Sequence, residues 1–171
     1  MVEKLLTMTP PHLAMFDHAS MSYHTVCNRG VSHEFVRHRL FGFAQESTRY
    51  CNYNKGKFDS EIRVVQPDFR YDRSTNEWYD LMLRMEAVYR DAIARGESAQ
   101  VARDNLPICL KTELVITGDF TEWMHFFKLR TDKAAHPQMR QLAGMILKDA
   151  VTRVTLVFDR FLKELNNEHN I

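Results

Sequence analysis

The last third of the chain carries an apolar stripe that only a helix satisfies. Leu142, Ile146, Ala150, Val154, Val157, Phe161 and Leu165 recur at steps of three or four, the spacing that gathers side chains on one helical face. Pro137 suits the first turn of that helix, where its missing N–H would have no intrahelical partner. One long helix is therefore expected from Pro137 to about Leu165. A second stripe, Trp78, Leu81, Met82, Met85, Tyr89 and Ala92, follows Ser74 and Glu77, which have capping-box spacing. Gly96 stops that helix, and Ser98 can cap a shorter one ending near Leu106-Pro107. Asp119 and Glu122 make another capping start, for a helix running to about Arg130. Gly and Pro supply only 6 and 5 of the 171 residues, roughly half the usual share. So few breakers disfavour a many-turned β-sandwich.

The remaining segments read as extended chain. Ala19 to Asn28 (ASMSYHTVCN) mixes small, aromatic and β-branched residues and predicts a strand. Gly30 breaks it, and Val31 to Leu40 reads as a short helix ending in a basic turn. Phe41 to Tyr53 resumes as extended chain or loop, and Glu61 to Val65 (EIRVV) reads as a short strand. Ile108 to Thr117 is rich in β-branched residues and predicts a strand, with helix as an alternative. The class is α+β with helices dominating. Without repeats, low-complexity tracts or Ser/Gly linkers, residues 1–171 read as one domain.

Charge and cysteine usage narrow the function classes. Lys plus Arg is 23 and Asp plus Glu is 22, a net charge of +1. That balance argues against a surface coated in basic charge for nucleic acid or membrane. The longest uncharged stretch, Leu5 to Phe16, contains two prolines and falls short of the roughly 18 apolar residues a spanning helix needs. Glu3 and Lys4 precede no compact apolar run, so no signal peptide is expected. Cys27, Cys51 and Cys109 form no CxxC pair, which indicates neither a disulfide scaffold nor a zinc knuckle. The expectation is a reduced, cytoplasmic protein. His12 and His18 lack metal-ligand spacing. The nine methionines mostly lie on the apolar stripes and read as core fillers.

The most unusual run is Arg37-His38-Arg39-Leu40-Phe41-Gly42-Phe43-Ala44-Gln45-Glu46-Ser47-Thr48-Arg49-Tyr50. Arginine offers a planar fork of donors that fits phosphate or a uracil-like edge and stays charged at working pH. Ser47 and Thr48 add hydroxyls beside Arg49. Ser47 has no evident partner base, so it reads as a ligand contact and not a nucleophile. Composition alone also allows Arg37 to Arg39 simply to complement the negative end of a helix dipole.

The spacing Arg-His-Arg, seven residues, then Ser resembles the signature of the flavin-dependent thymidylate synthases, the ThyX family. Three further segments resemble the family in order: Phe16-Asp17-His18-Ala19-Ser20, Ala102-Arg103-Asp104-Asn105-Leu106-Pro107, and Phe126 to Thr131 followed by Ala135-His136-Pro137. Together they run from about His12 to Leu165. The resemblance implies a single ThyX-like α+β domain with a small antiparallel sheet and long helices. It implies synthesis of dTMP from dUMP with methylenetetrahydrofolate as carbon donor, FAD as redox carrier and NADPH as reductant. It also implies a homotetramer with active sites shared between subunits.

By position, the resemblance puts Glu34, Arg37, Glu46, Ser47, Thr48, Arg49, Arg103 and Arg130 at dUMP. It puts Arg37, His38, Arg39, Gln45, Asp119, Thr121 and His125 at FAD, and makes Arg130 the catalytic residue. Gly42 stands where many members carry serine, and Ala44 where many carry a polar residue. Gln45 replaces a frequent Glu, and Asp119 and His125 occupy positions often held by Asn. These departures fall among the flavin contacts and leave the dUMP arginines in place. The N-terminus is also short beside many members. His125 alternatively reads as a core histidine, sharing a helix side with Thr121 and Leu129. Cys51 beside Tyr50 reads as a small structural residue. The rival class is a non-catalytic nucleotide- or RNA-binding module using the Arg37 to Arg49 cluster. Another alternative is a family relative that keeps dUMP binding without flavin.

Overall fold

A computed structural model of the chain describes residues 2–53, 61–66 and 75–169; Ser74 of the expected capping box lies outside them. In chain order the elements are α1 (Val2–Thr7), a 3₁₀ turn (Ala14–His18), β1 (Ser20–Asn28), α2 (Arg29–Phe35) and β2 (Gly42–Gln45). After them come α3 (Thr75–Ala94), α4 (Ala99–Ala102) with a 3₁₀ turn (Arg103–Asn105), and β3 (Lys111–Asp119). The chain then runs through α5 (Phe120–Arg130), α6 (Pro137–Arg153) and α7 (Thr155–His169). The class is α+β, with one small antiparallel sheet in the order β1-β3-β2. Thr25 and then Arg29 bond to Leu114 and then Leu110, so β1 and β3 run in opposite directions. Among the described residues, no helix is long and apolar enough to cross a membrane.

The chain divides into two compact units, one of Met1–His24, Glu34–Phe43 and Val115–Ile171, the other of Thr25–His33 and Ala44–Leu114. In the first unit α5 packs on α6 and α7. Trp123, Phe126 and Phe127 of α5, Met139 and Leu147 of α6 and Phe158 of α7 are completely buried. Phe35 stacks on Phe126 with ring centres 5.1 Å apart and planes 7° from parallel. Buried aromatics of this size each remove about 150–250 Å² from water, so α5 is the centre of this unit. Asp119 caps it by accepting the Glu122 N–H at 2.8 Å, as its sequence predicts.

The C-terminal stripe spans two helices instead of one. Val154 leaves the helical conformation at φ −140° and ψ 63°. Val151, Thr152, Val154 and Thr155 crowd β-branched side chains there, and such residues lose χ1 freedom in a helix. The break lets α7 fold back along α6 and set Leu165 against Gly144. Ile146, Ala150, Val157, Phe161 and Leu165 stay buried on the shared face.

The short basic helix also differs from expectation. Asn28 accepts the Val31 N–H at 2.8 Å, so α2 starts directly after β1 with Gly30 inside its first turn. It ends at Phe35. The N–H groups of Arg37 and His38 bond back to Glu34 and Phe35, a 3₁₀-type closure that leaves Arg37 and Arg39 in a turn.

In the second unit α3 buries Tyr89 and Ala92 against Tyr53, Ala102 and Leu110. Leu81, expected in the stripe, is 51% exposed, because Trp78, Met82, Met85, Tyr89 and Ala92 already fill the face and Leu81 flanks it. Gly96 closes α3 at φ 92°, a left-handed conformation that glycine adopts without strain. Ser98 stands at the N-cap of α4 without a side-chain capping bond. Residues 61–66 make a single bridge, Val64 to Leu110, where a strand was expected. Their partner segment turns through Ile108 and Cys109, and β3 begins only at Lys111.

Candidate functional site

The last turn of α5 presents Arg130 to the end of α2. Arg130 Nη1 donates to the Glu34 carboxylate at 2.7 Å, and Nη2 donates to the Glu34 carbonyl at 3.2 Å. Its Nε donates to Nε2 of His38 at 3.0 Å. A guanidinium has five N–H groups; three are fixed here, and the other two have no protein acceptor among the described residues. His38 is buried, with ring centres of Phe126, Phe41 and His125 at 5.2, 5.8 and 5.9 Å. Burial, then the nearby charges of Arg130 and His125, pulls its pKa from 6.5 down to about 4. The imidazole is therefore neutral near pH 7. Since Nε2 accepts, its proton sits on Nδ1.

The other residues expected in this unit are placed differently. His125 is exposed on α5, which excludes the core-histidine alternative. Asp119 serves as the helix cap, and the Thr121 hydroxyl donates to the Leu13 carbonyl at 3.4 Å. Arg37 and Arg39 are exposed, and among the described residues neither guanidinium has a side-chain hydrogen bond or ion pair.

In the second unit, Ser47 to Tyr50 form a turn closed by Ser47 accepting the N–H groups of Tyr50 and Cys51. Arg49 Nε donates to Gln100 Oε1 at 3.1 Å, and its guanidinium lies 5.5 Å from the Tyr50 ring centre. Thr48 and Arg103, both expected at dUMP, line one cavity of about 390 Å³ together with Arg29. Glu46 is held by the protein itself, through Lys111 Nζ and the Tyr53 hydroxyl, each at 3.4 Å. Gln45 donates to Ser32 at 2.8 Å and Thr112 at 3.2 Å. Arg29 and Lys111 belong to no motif in the sequence. The only local signal for Arg29 is its place after a capping Asn at a strand-to-helix junction.

Thiol chemistry has little support. Burial pushes Cys27 up to about 11 and raises Cys109 as well, so both stay protonated. Among the described residues, no group of three or more His, Cys, Asp or Glu is placed to hold a metal ion.

The structure is an α+β protein with an immobilised guanidinium beside a neutral imidazole and a cavity lined by two arginines, donors of a shape suited to planar or anionic groups. Comparison with known proteins specifies the family. The family model described as thymidylate synthase complementing protein matches residues 1–154. A flavin-dependent thymidylate synthase of Mycobacterium sp. (strain KMS) is 31% identical over 171 residues, covering 88% of this chain and 65% of the relative. Relatives of the same name from Mycobacterium avium (strain 104) and Mycobacterium tuberculosis (strain ATCC 25177 / H37Ra) are each 30% identical with the same coverage. The chain belongs to the thymidylate synthase complementing protein family. It spans about 65% of the length of these curated relatives.

Proposed function

We propose that the chain acts as an FAD-dependent thymidylate synthase, converting dUMP to dTMP with methylenetetrahydrofolate as carbon donor and NADPH as reductant. The observation that carries this reading is the fixed guanidinium of Arg130, with two N–H groups to spare. Such a fork stabilises negative charge that develops at a uracil edge when the ring becomes nucleophilic. Because Glu34 and His38 hold it beforehand, little reorganisation is needed during the reaction. Arg130 is then the catalytic residue, and His38 and Glu34 orient it.

The donor set fits FAD. Arg37 and Arg39 are two guanidiniums without a protein partner among the described residues, suited to a diphosphate. These two and the exposed His125 would hold the flavin nucleotide, and the resemblance adds His38, Gln45, Asp119 and Thr121 to the residues proposed for it. When bound, FAD supplies the redox chemistry. Glu34, Arg37, Ser47, Thr48, Arg49, Arg103 and Arg130 would receive dUMP, with Glu46 adjoining. The resemblance further supports a homotetramer that shares its sites between copies.

The test is the visible spectrum of purified protein with added FAD, followed by bleaching with NADPH with and without dUMP. Bleaching accelerated by dUMP, with dTMP formed once methylenetetrahydrofolate is supplied, is the expected outcome. A colourless protein that binds nucleotides and makes no dTMP would replace this reading with the binding-module one.

A further inference from the structure

Helix α3 has an outward face opposite the one that buries Tyr89 and Ala92. Asp80, Arg84, Ala87 and Asp91 are all exposed, and at about 100° per residue they fall on one narrow strip of the helix. Arg95 continues the strip, because its N–H bonds to the Asp91 carbonyl at 2.9 Å and carries the helical ladder that far. Along the strip the order is acid, base, alanine, acid, base. Leu83 and Val88 flank it, 63% and 48% exposed.

A face meant only for water would spend such charges on itself. Acid and base four residues apart form intrahelical pairs, and this chain makes them at Glu86–Arg90, Asp149–Arg153 and Asp159–Lys163. Asp80–Arg84 and Asp91–Arg95 have the same spacing and the same orientation, yet neither pair closes. Among the described residues Asp80, Arg84 and Asp91 make no ion pair. Arg95 reaches only Glu97, at 3.1 Å on the surface, where a pair contributes little.

The order of these charges selects the partner that fits them. Arg84 and Asp91 lie about 5 Å on either side of the point between Ala87 and Val88, and Asp80 and Arg95 about 11 Å from it. A two-fold axis through that point lays a second α3 antiparallel on the first. Base then meets acid at all four places, since in a two-fold contact residue i meets j and j meets i. A parallel copy in the same register would set like charge against like. Ala87 keeps the crossing point small, and a shallow crossing of about 20° leaves the outer pairs within reach. Leu83 and Val88 of both copies are then withdrawn from water beside the axis.

We propose that the outer face of α3 is an interface for a second copy of this chain, packed antiparallel about a two-fold axis at Ala87 and Val88. Arg84 of each copy pairs with Asp91 of the other, and Asp80 with Arg95. The test is sedimentation velocity on the full chain and on Arg84→Glu, Asp91→Arg and the variant carrying both. Each single reversal sets like charges together at two symmetry-related contacts. It should weaken association by about tenfold or more and halve the mass of the assembly at the concentration used for the wild type. The double variant exchanges the two signs and should recover the wild-type mass. Raising the ionic strength to about 1 M, where charges are screened beyond about 3 Å, should shrink the difference between the wild type and the single reversals. All the substituted side chains are exposed, and unchanged circular dichroism checks that each variant is folded. A multimer whose mass survives either single reversal, or a folded double variant that stays dissociated, overturns the surface. The surface rests on the association proposed above, and the two fail separately. A monomeric wild-type chain overturns both, whereas a multimer indifferent to the reversals overturns the α3 surface alone.

Discussion

Arg130 donates its Nε–H to Nε2 of His38 at 3.0 Å, so the buried imidazole must be neutral for the bond to exist. An unfolded histidine titrates near 6.5, whereas His38 in the fold titrates at about 4. Between those values the unfolded chain binds more protons than the folded one, so stability falls as pH drops from 6.5 to 4. Above 6.5 the histidine contributes no slope. His38→Gln retains an acceptor and removes the titration. Its melting temperature should therefore depend less on pH across that window than the wild-type value does. Parallel curves for the two proteins would remove His38 as the source.

Arg130→Lys keeps the charge but loses the planar fork that spans Glu34 and His38. We expect dTMP formation to fall by about 10²–10³ in Arg130→Ala, the usual scale for losing a preorganised donor, and little less in Arg130→Lys. Flavin content should persist in both, since Arg37 and Arg39 are untouched. Full turnover by Arg130→Ala would show that the charge at the uracil edge is stabilised elsewhere.

Arg37 and Arg39 are exposed and make no side-chain contact to lose among the described residues. Their joint replacement by alanine should leave unfolding free energy within about 0.5 kcal/mol. The same variant should lose bound FAD, measured as the ratio of flavin to protein absorbance. Normal flavin stoichiometry would refute the pair as its anchor.

Local rules made much of this arrangement legible. The Asp119–Glu122 spacing located the start of α5, and with it Arg130 on the last turn, because capping is decided within four residues. The Arg-His-Arg run pointed to arginine chemistry. Periodicity alone gave no warning of the break at Val154, since the apolar stripe continues through it and the cause is backbone crowding by β-branched neighbours. Nor could it place Arg37 and Arg39 outside α2, which Asn28 starts early and the 3₁₀ closure ends early. Arg29 and Lys111 were silent in the sequence. Their placement depends on pairing between residues far apart in the chain, such as Arg29 with Leu110 and Glu46 with Glu113.

Gly118 meets Phe41 so closely that a Cβ built at Gly118 would overlap the ring. Phe41 cannot easily yield, because its ring lies 4.7 Å from that of Trp123 and is also packed on Phe126. Gly118→Ala should therefore destabilise the fold by about 1–3 kcal/mol, the usual cost of overpacking a core. Phe41→Leu removes the overlapping ring atoms, so the double variant should be more stable than the sum of the single effects by about 0.5–3 kcal/mol. Denaturant unfolding of the four proteins measures that coupling. Because Phe41 also lies against His38, Gly118→Ala should disturb the ring that orients Arg130 and lower turnover even where the protein remains folded. Additive stabilities together with unchanged turnover would show that β3 accommodates the methyl by shifting away from Phe41 and leaves the His38–Arg130 bond intact.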